Sequence, residues 1–381
     1  MINIIHKEDC CGCSACVQVC PIKCISFESD IEGFLYPHVD HNVCINCGLC
    51  ERVCPVLNQR EPIAPVSVLA SINSDEQVRS VSTSGGIYSL LAEKVIVAGG
   101  IVFGAKFNQK WEVVHSYVNT HEELQLFRGS KYSQSLMSDN YTVVKEFLKK
   151  GYPVLFSGVP CQIAGLKNFL RKDYENLITV DTICHGVPSP LVWAHFLTEY
   201  CRSHDIDVNA LKKVNFRDKT HGWEKYHFLI KDLHQHCFSE CFTQTDYAKA
   251  FLDNISIRPS CSKCPAKSGK SGSDITLGDF WGINHILSHF NDNHGVGLVI
   301  INTQKGKKLF DRITSHSVEV KLEDAIKYNP SYTTSSELHQ KRDVFFSQIQ
   351  KGKTVHQSLV KVYHVSLYKK VLNKIVRLTS N

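Results

Sequence analysis

Two cysteine runs near the amino end carry the most specific chemistry in this sequence. Cys10, Cys13, Cys16 and Cys20-Pro21 spell C-x2-C-x2-C-x3-C-P, and Cys44, Cys47, Cys50 and Cys54-Pro55 repeat it. Such short spacings let three thiolates of one loop cap one face of an iron–sulfur cubane. The fourth cysteine opens a helix and, in two-cluster ferredoxins, ligates the other cluster. The expected ligands are therefore Cys10, Cys13, Cys16 and Cys54 for one 4Fe–4S cluster, and Cys44, Cys47, Cys50 and Cys20 for the second. Zinc is the competing reading, but its sites use paired C-x2-C knuckles and stop at four ligands. Cys11 and Cys24 fall outside the pattern and receive no ligand role.

Four more cysteines sit in turns: Cys161 in Gly158-Val159-Pro160-Cys161-Gln162, Cys184 in Cys184-His185-Gly186, and Cys261 and Cys264 before Pro265. Cys161 and Cys184 each follow a strand pattern and precede a helix pattern, at the strand ends where ligands enter open α/β sheets. Cys261 and Cys264 precede the strand that ends in Gly278-Asp279-Phe280-Trp281-Gly282, within reach of the same rim. Four thiolates converging there would hold a third cluster. Ordinary buried thiols are the alternative. His185 is either a proton donor at this crevice or a turn histidine satisfied by backbone. Cys201, Cys237 and Cys241 are read as packing residues.

Nucleotide fingerprints are missing. No G-x-G-x-x-G occurs, and Gly269-Lys270-Ser271 imitates a P-loop end although Cys264 stands where its first glycine belongs. Two Gly-rich turns remain, Thr83-Ser84-Gly85-Gly86 and Arg128-Gly129-Ser130-Lys131-Tyr132. Glycines at a helix start let backbone N–H groups approach a phosphate, and Lys131 adds a point charge. By itself this pattern is more often only a turn.

The elements that must position these residues divide the chain into three. Residues 1–60 form the cysteine-dense unit, an α+β ferredoxin-like module ending at Arg60-Glu61-Pro62-Ile63-Ala64-Pro65. Residues 66–330 alternate strand and helix patterns, which predicts an α/β domain with a largely parallel or mixed sheet flanked by helices. Ser84–Val97 reads as a helix, Ile101–Phe107 and Glu112–Val118 as strands, and Ser138 as the cap of a helix over Tyr141–Lys150. Two strand–turn–helix units follow, Tyr152–Leu170 and Leu177–Tyr200. A hairpin over Lys225–Ile230 and Cys237–Thr243 interrupts the alternation before strands at Asp274–Leu277 and Leu298–Asn302. Residues 335–381 read as a helical, basic C-terminal segment with Lys361, Lys369, Lys370, Lys374 and Arg377 beside an apolar face.

Composition narrows the function classes. At 381 residues, 43% hydrophobic and 21% charged, the chain suits a soluble globular protein, and a net charge of +6 is too dispersed to imply nucleic acid. No signal peptide or transmembrane run is visible, so a cytoplasmic location is expected. Ten of the seventeen cysteines lie between Cys10 and Cys54 at metal-ligand spacings, which favours reduced, metal-holding thiols over a disulfide framework.

Taken in order, Ser84-Gly85-Gly86, Lys131-Tyr132, Gly158-Val159-Pro160-Cys161, Cys184-His185-Gly186-Val187-Pro188, Cys261-x2-Cys264-Pro265 and Asp274–Gly282 resemble the coenzyme F420 hydrogenase/dehydrogenase beta-subunit family. The resemblance spans about residues 1–300, including the ferredoxin module. It implies an FAD in the α/β domain with a further 4Fe–4S cluster nearby, held by Cys161, Cys184, Cys261 and Cys264. Ser84, Gly85, Gly86, Lys131, Tyr132, Gly158, Gly186 and Asp279 become cofactor-binding candidates, and His185 the catalytic one. The expected function is an iron–sulfur flavoprotein oxidoreductase that passes electrons between clusters and a two-electron substrate through FAD. Bacterial members of the family also suggest a link to surface-polysaccharide biosynthesis. The alternative is a non-catalytic electron-transfer subunit docked to a hydrogenase or dehydrogenase. Expected partners are a small-molecule redox substrate or deazaflavin and a ferredoxin-like or enzyme electron partner.

The cysteine pattern alone makes one prediction. Protein reconstituted without oxygen will be brown and hold about eight irons in the first sixty residues; colourless protein holding zinc in those loops refutes the iron–sulfur assignment.

Overall fold

The computed structural model describes residues 1–363. Thirteen strands are present among them: β1 (Ile25–Ser29), β2 (Leu35–Val39), β3 (Ser67–Asn73), β4 (Ile101–Phe107), β5 (Val113–Val118), β6 (Val154–Gly158), β7 (Leu177–Thr182), β8 (Leu211–Asp218), β9 (His227–Asp232), β10 (Cys237–Cys241), β11 (Ile275–Asp279), β12 (Gly297–Ile301) and β13 (Ser315–Glu319). An eight-stranded sheet runs β13-β3-β12-β11-β7-β6-β4-β5, and β10-β9-β8 form a smaller antiparallel sheet. Strands β4, β6, β7 and β11 are mutually parallel, while β5, β12, β3 and β13 join antiparallel to their neighbours. The sheet is therefore mixed, and three of its four parallel strands, β6, β7 and β11, lead into the turns after Gly158, Thr182 and Asp279.

Several expectations are corrected in detail. β3 and β13 carry no strong strand signal, being rich in Ser and Ala or in polar residues, and take shape by pairing with the sheet. The hairpin gains a third strand, β8. The helix expected from Ser84 begins at Ile87, because Gly86 adopts a left-handed conformation that ends the turn before it. Ser138 does not cap the next helix, Asn140–Lys149. Instead its carbonyl accepts from Ser14 Oγ of the N-terminal module at 3.3 Å. Gln18 Oε1, also from the module, accepts from Tyr141 N at 2.9 Å and Thr142 N at 3.2 Å. A side chain over one hundred and twenty residues away thus satisfies two of the N–H groups that every helix start leaves open.

Each face of the large sheet buries a helix layer. Helices Ile87–Val97 and Gln304–Phe310 cover one face through Leu91, Val95 and Leu309 against Val102, Leu155, Val180 and Val299. Helices Asn140–Lys149 and Pro160–Leu170 cover the other through Val144, Ile163 and Leu166. Cys11, Cys13, Ala15 and Val53 of the module belong to that second core, so the prolines after residue 60 do not separate independent cores. The small sheet packs with helices Pro190–Ser203, Asp246–Leu252, Arg342–Gln350 and Val355–Tyr363. The expected basic C-terminal segment is described only as far as Tyr363; Lys369, Lys370, Lys374 and Arg377 lie outside the described residues. Among the described residues no helix is long and apolar enough to cross a membrane.

A buried ion pair joins the N-terminal module to the helix Arg342–Gln350. Arg342 Nη2 donates to Glu32 Oε2 at 2.7 Å, while Nη1 donates to the carbonyls of Ile255 and Ile257 at 2.6 and 2.5 Å. Removing one member of such a pair strands a desolvated charge, which costs about 3–5 kcal/mol. Arg342→Met should lower unfolding free energy by that amount in denaturant titrations, and adding Glu32→Leu should restore part of the loss.

Candidate functional site

The cysteines of the first expected set are adjacent in space. Cys10, Cys13, Cys16 and Cys54 line one small cavity with Ile4, Phe27 and Pro37. Burial pushes the Cys10 thiol up to about 11 and raises those of Cys16 and Cys54, so in the absence of a cation all three are neutral thiols at pH 7. In the second set, Cys50 is buried and Cys47 exposed. Cys24, given no role from its spacing, has its Sγ 3.4 Å from that of Cys20, and its thiol also faces Cys44. Cys16, Cys20, Cys24, Cys44, Cys50 and Cys54 share one apolar cluster with Ile2, Ile25 and Val39.

Cys161, Cys184, Cys261 and Cys264 meet from three elements: the helix after β6, the turn after β7 and the 3-10 turn Pro259–Lys263 before β11. Burial raises the thiols of Cys184, Cys261 and Cys264, and the proximity of other sulfurs raises each of them further. Lys267 Nζ holds the Cys184 turn by donating to its carbonyl at 2.7 Å and to that of Ser331 at 2.6 Å. Cys11 completes this arrangement. It is 5% exposed and packs in one apolar core with Cys13 and Cys161, whose thiols face its own. The close thiols hold that of Cys11 low and push those of its two neighbours up, with burial adding to the rise. Ligand-spacing arithmetic overlooked Cys11 because its partner Cys161 is distant in sequence. Gly165 makes the approach possible: a Cβ there would lie 2.9 Å from the Cys13 Cβ and 3.0 Å from its sulfur. Among the described residues, no three His, Cys, Asp or Glu side chains close around a single-ion position; the ligands of a cubane are spread over its corners.

A cavity of about 520 Å³ opens at the C-terminal ends of β6, β7 and β11. Its lining includes every sequence-derived cofactor candidate, Ser84, Gly85, Gly86, Lys131, Tyr132, Gly158, Gly186 and Asp279, together with His185 and Cys184. The two Gly-rich turns are joined: Ser130 N donates to Thr83 Oγ1 at 2.8 Å. Lys219, missed in the sequence, braces the same corner by donating to the carbonyls of Arg79, Ser84 and His294 at 2.7, 3.2 and 2.6 Å. Lys131 lies half-buried in the wall, its ammonium facing only the carbonyls of Phe127, Arg128 and Gly129 at 3.0–3.4 Å. Desolvation draws its pKa down to about 7.

The opposite wall is aromatic and internally paired. Asp279 cannot serve as a free ligand, because Arg217 Nη1 and Nη2 donate to it at 2.9 and 3.2 Å and Trp223 Nε1 at 2.9 Å. It positions Arg217, whose guanidinium lies 3.7 Å from the centre of the Tyr226 ring and 5.3 Å from Trp281. His185 Nε2 meets Asn254 Oδ1 at 2.6 Å, so the ring is fixed by a side chain and not by backbone. Burial lowers its pKa, favouring neutral imidazole. His115, another lining residue, pairs with Ser135 Oγ at 2.8 Å and with the Ser157 carbonyl at 3.0 Å. Burial takes it down to about 4, so it is neutral with its proton on Nε2.

Comparison with known proteins gives two family matches. Residues 152–325 match the C terminus of the coenzyme F420 hydrogenase/dehydrogenase beta subunit. Residues 9–58 match the 4Fe-4S dicluster domain, which assigns iron–sulfur clusters to the N-terminal module. The F subunit of the F420H2 dehydrogenase from Methanosarcina mazei is 23% identical over 267 residues, covering 66% of this chain and 75% of its own length. A solved F420-reducing NiFe hydrogenase complex from Methanosarcina barkeri contains a chain 17% identical at TM-score 0.44, with 78% of this chain and 89% of that one covered.

Lys131 generates a pH dependence. Above pH 7 its amine is neutral, and a phosphate brought against it restores the ammonium. Binding of ADP should therefore take up a proton above pH 7 and weaken as pH rises from 7 to 9. Calorimetry in two buffers of different ionisation enthalpy reads this uptake, and Lys131→Met should abolish it.

Proposed function

The chain belongs to the coenzyme F420 hydrogenase/dehydrogenase beta-subunit family, joined to a 4Fe–4S dicluster domain, and on that premise we propose that it is an electron-transfer subunit working beside a catalytic partner. The observation that carries this reading is the contact between Cys11 of the module and Cys161, in a thiol group whose member Cys184 lines the large cavity. Cys11, Cys161 and Cys184 therefore lie near one another between the module and the cavity wall. The expectation of a free-standing oxidoreductase gives way here, since the family description and the M. mazei relative are both of subunits. Neither bears on surface-polysaccharide synthesis, and that link is not carried forward.

In this proposal Cys161, Cys184, Cys261 and Cys264 hold a third 4Fe–4S cluster, and the cavity takes FAD. The residues fit the flavin. Backbone N–H groups of Ser84-Gly85-Gly86 and Gly129, with Lys131, suit a diphosphate. Tyr132, Tyr226, Phe251 and Trp281 offer aromatic wall for a planar ring, and the volume lies within the range of cofactor sites. When bound, FAD exchanges single electrons with iron–sulfur centres and electron pairs with an organic partner, here a deazaflavin or another small two-electron carrier. Asn254 Oδ1 accepts from His185 Nε2, which leaves the ring's other nitrogen, Nδ1, as the proposed proton-accepting atom. Arg217, Asp279 and Trp223 keep the aromatic wall rigid through bonds within the protein.

Anaerobic reconstitution followed by iron, sulfide and flavin analysis tests the whole reading. About twelve irons and one FAD per chain are expected. About eight irons would remove the third cluster, and protein without flavin would remove the cavity assignment. Cys161→Ser should cost about four irons while sparing the pair in the module, and an unchanged iron count would overturn the ligand set.

A further inference from the structure

Four arginines are buried among the described residues: Arg79, Arg217, Arg258 and Arg342. Three have a carboxylate within ion-pair distance, Arg79 with Asp292 at 2.6 Å, Arg217 with Asp279 at 2.9 Å and Arg342 with Glu32 at 2.7 Å. Arg258, the most buried at 0% exposure, has no such partner among the described residues. An uncompensated guanidinium in the interior is far costlier than a paired one, so its anion must be sought elsewhere.

The surroundings of Arg258 identify that anion. Its Nε donates to the Cys10 carbonyl at 2.7 Å, Nη1 to Gln134 Oε1 at 2.9 Å and Nη2 to the Leu35 carbonyl at 2.9 Å. These partners are all neutral. Nη2 also reaches Cys10 Sγ at 3.6 Å, and the guanidinium lies over the Tyr36 ring at 4.3 Å. Gln134 Nε2 closes the circuit by donating to the Cys11 carbonyl at 3.1 Å. Gly12 has no side chain for a related reason: its φ is +68°, and a Cβ there would lie 2.8 Å from Arg258 Nη1 and 2.7 Å from Gln134 Nε2. The loop is shaped so that one cation can lie flat against it.

We infer that Arg258 is the counter-ion of the iron–sulfur centre bound by the Cys10 loop, neutralising part of its charge and thereby setting its reduction potential. This rests on the assignment of Cys10, Cys13, Cys16 and Cys54 to one centre. A cubane held by four thiolates is anionic and gains one negative charge when it accepts an electron. A fixed cation at the Cys10 sulfur stabilises the reduced form more than the oxidised one, so it raises the potential. Arg258 stands three residues before Cys261, on the turn that carries two of the third thiol group. The same side chain therefore fastens the module to the α/β domain and biases electrons toward the centre nearest that interface. Its role is positioning and electrostatic, with no atom transferred.

The test is a redox titration of the reconstituted full chain followed by electron paramagnetic resonance, in three forms. Arg258→Gln should lower the potential of the Cys10-loop centre by at least a tenfold change in its reduction equilibrium, about 59 mV for one electron, and leave the Cys44-loop centre unmoved. Gln134→Glu keeps the arginine but supplies the carboxylate it lacks, and should shift the same centre in the same direction. It decides the matter if Arg258→Gln fails to assemble. Arg258→Lys, which keeps the charge, should stay near the wild-type potential. Wild-type potentials in Gln134→Glu, or a shift in Arg258→Lys as large as that in Arg258→Gln, overturn the inference. Wild-type protein that binds no iron would instead overturn the underlying assignment of the centre.

Discussion

Close packing of the Cys10–Cys13 loop against the helix that begins beside Cys161 is the constraint on which the rest of this molecule depends. It is possible because Gly165 presents no side chain to Cys13 and because Arg258 and Gln134 bond the loop's carbonyls from the other side. Hydrogen bonds from a buried guanidinium to backbone fix direction as well as distance. Gln18 and Ser14 extend the junction by engaging the start of the helix Asn140–Lys149. The module is thus built into the α/β domain, and Glu32 with Arg342 adds a second junction beside Arg258, through the Ile257 carbonyl.

Charge around the cavity is mostly neutralised within the protein. Asp279 is paired with Arg217, His115 is held neutral by burial, and the amine of Lys131 faces only carbonyl oxygens. A wall so arranged favours a ligand that carries its negative charge at one end and a flat ring at the other, the character of the flavin dinucleotide proposed for it. Because Lys131 lacks a carboxylate partner among the described residues, its charge answers to whatever enters the cavity. Arg258 stands in the same relation to the iron–sulfur centre proposed beside Cys10. In both places the protein leaves a cation whose natural counter-charge is not a side chain.

What the sequence determined by itself is everything encoded in short spacing. The two C-x2-C-x2-C-x3-C-P runs, the strand–turn–helix units around Cys161 and Cys184, and the Gly-rich turns at Ser84 and Lys131 are local patterns set by the geometry of a few consecutive residues. The expectation that Cys161 and Cys184 share one crevice was also legible, since parallel strands put their C-terminal ends on one edge. Long-range decisions were not. β3 and β13 exist because they pair with β12 and with each other, although their Ser-rich and polar sequences argue weakly for strands. The partnership of Cys11 with Cys161, the capture of Asp279 by Arg217 and the burial of Arg258 without a carboxylate each join residues tens to hundreds of positions apart. Only tertiary packing could settle them, because burial and the identity of a charge's nearest neighbour are properties of the folded interior, and no stretch of chain carries them alone.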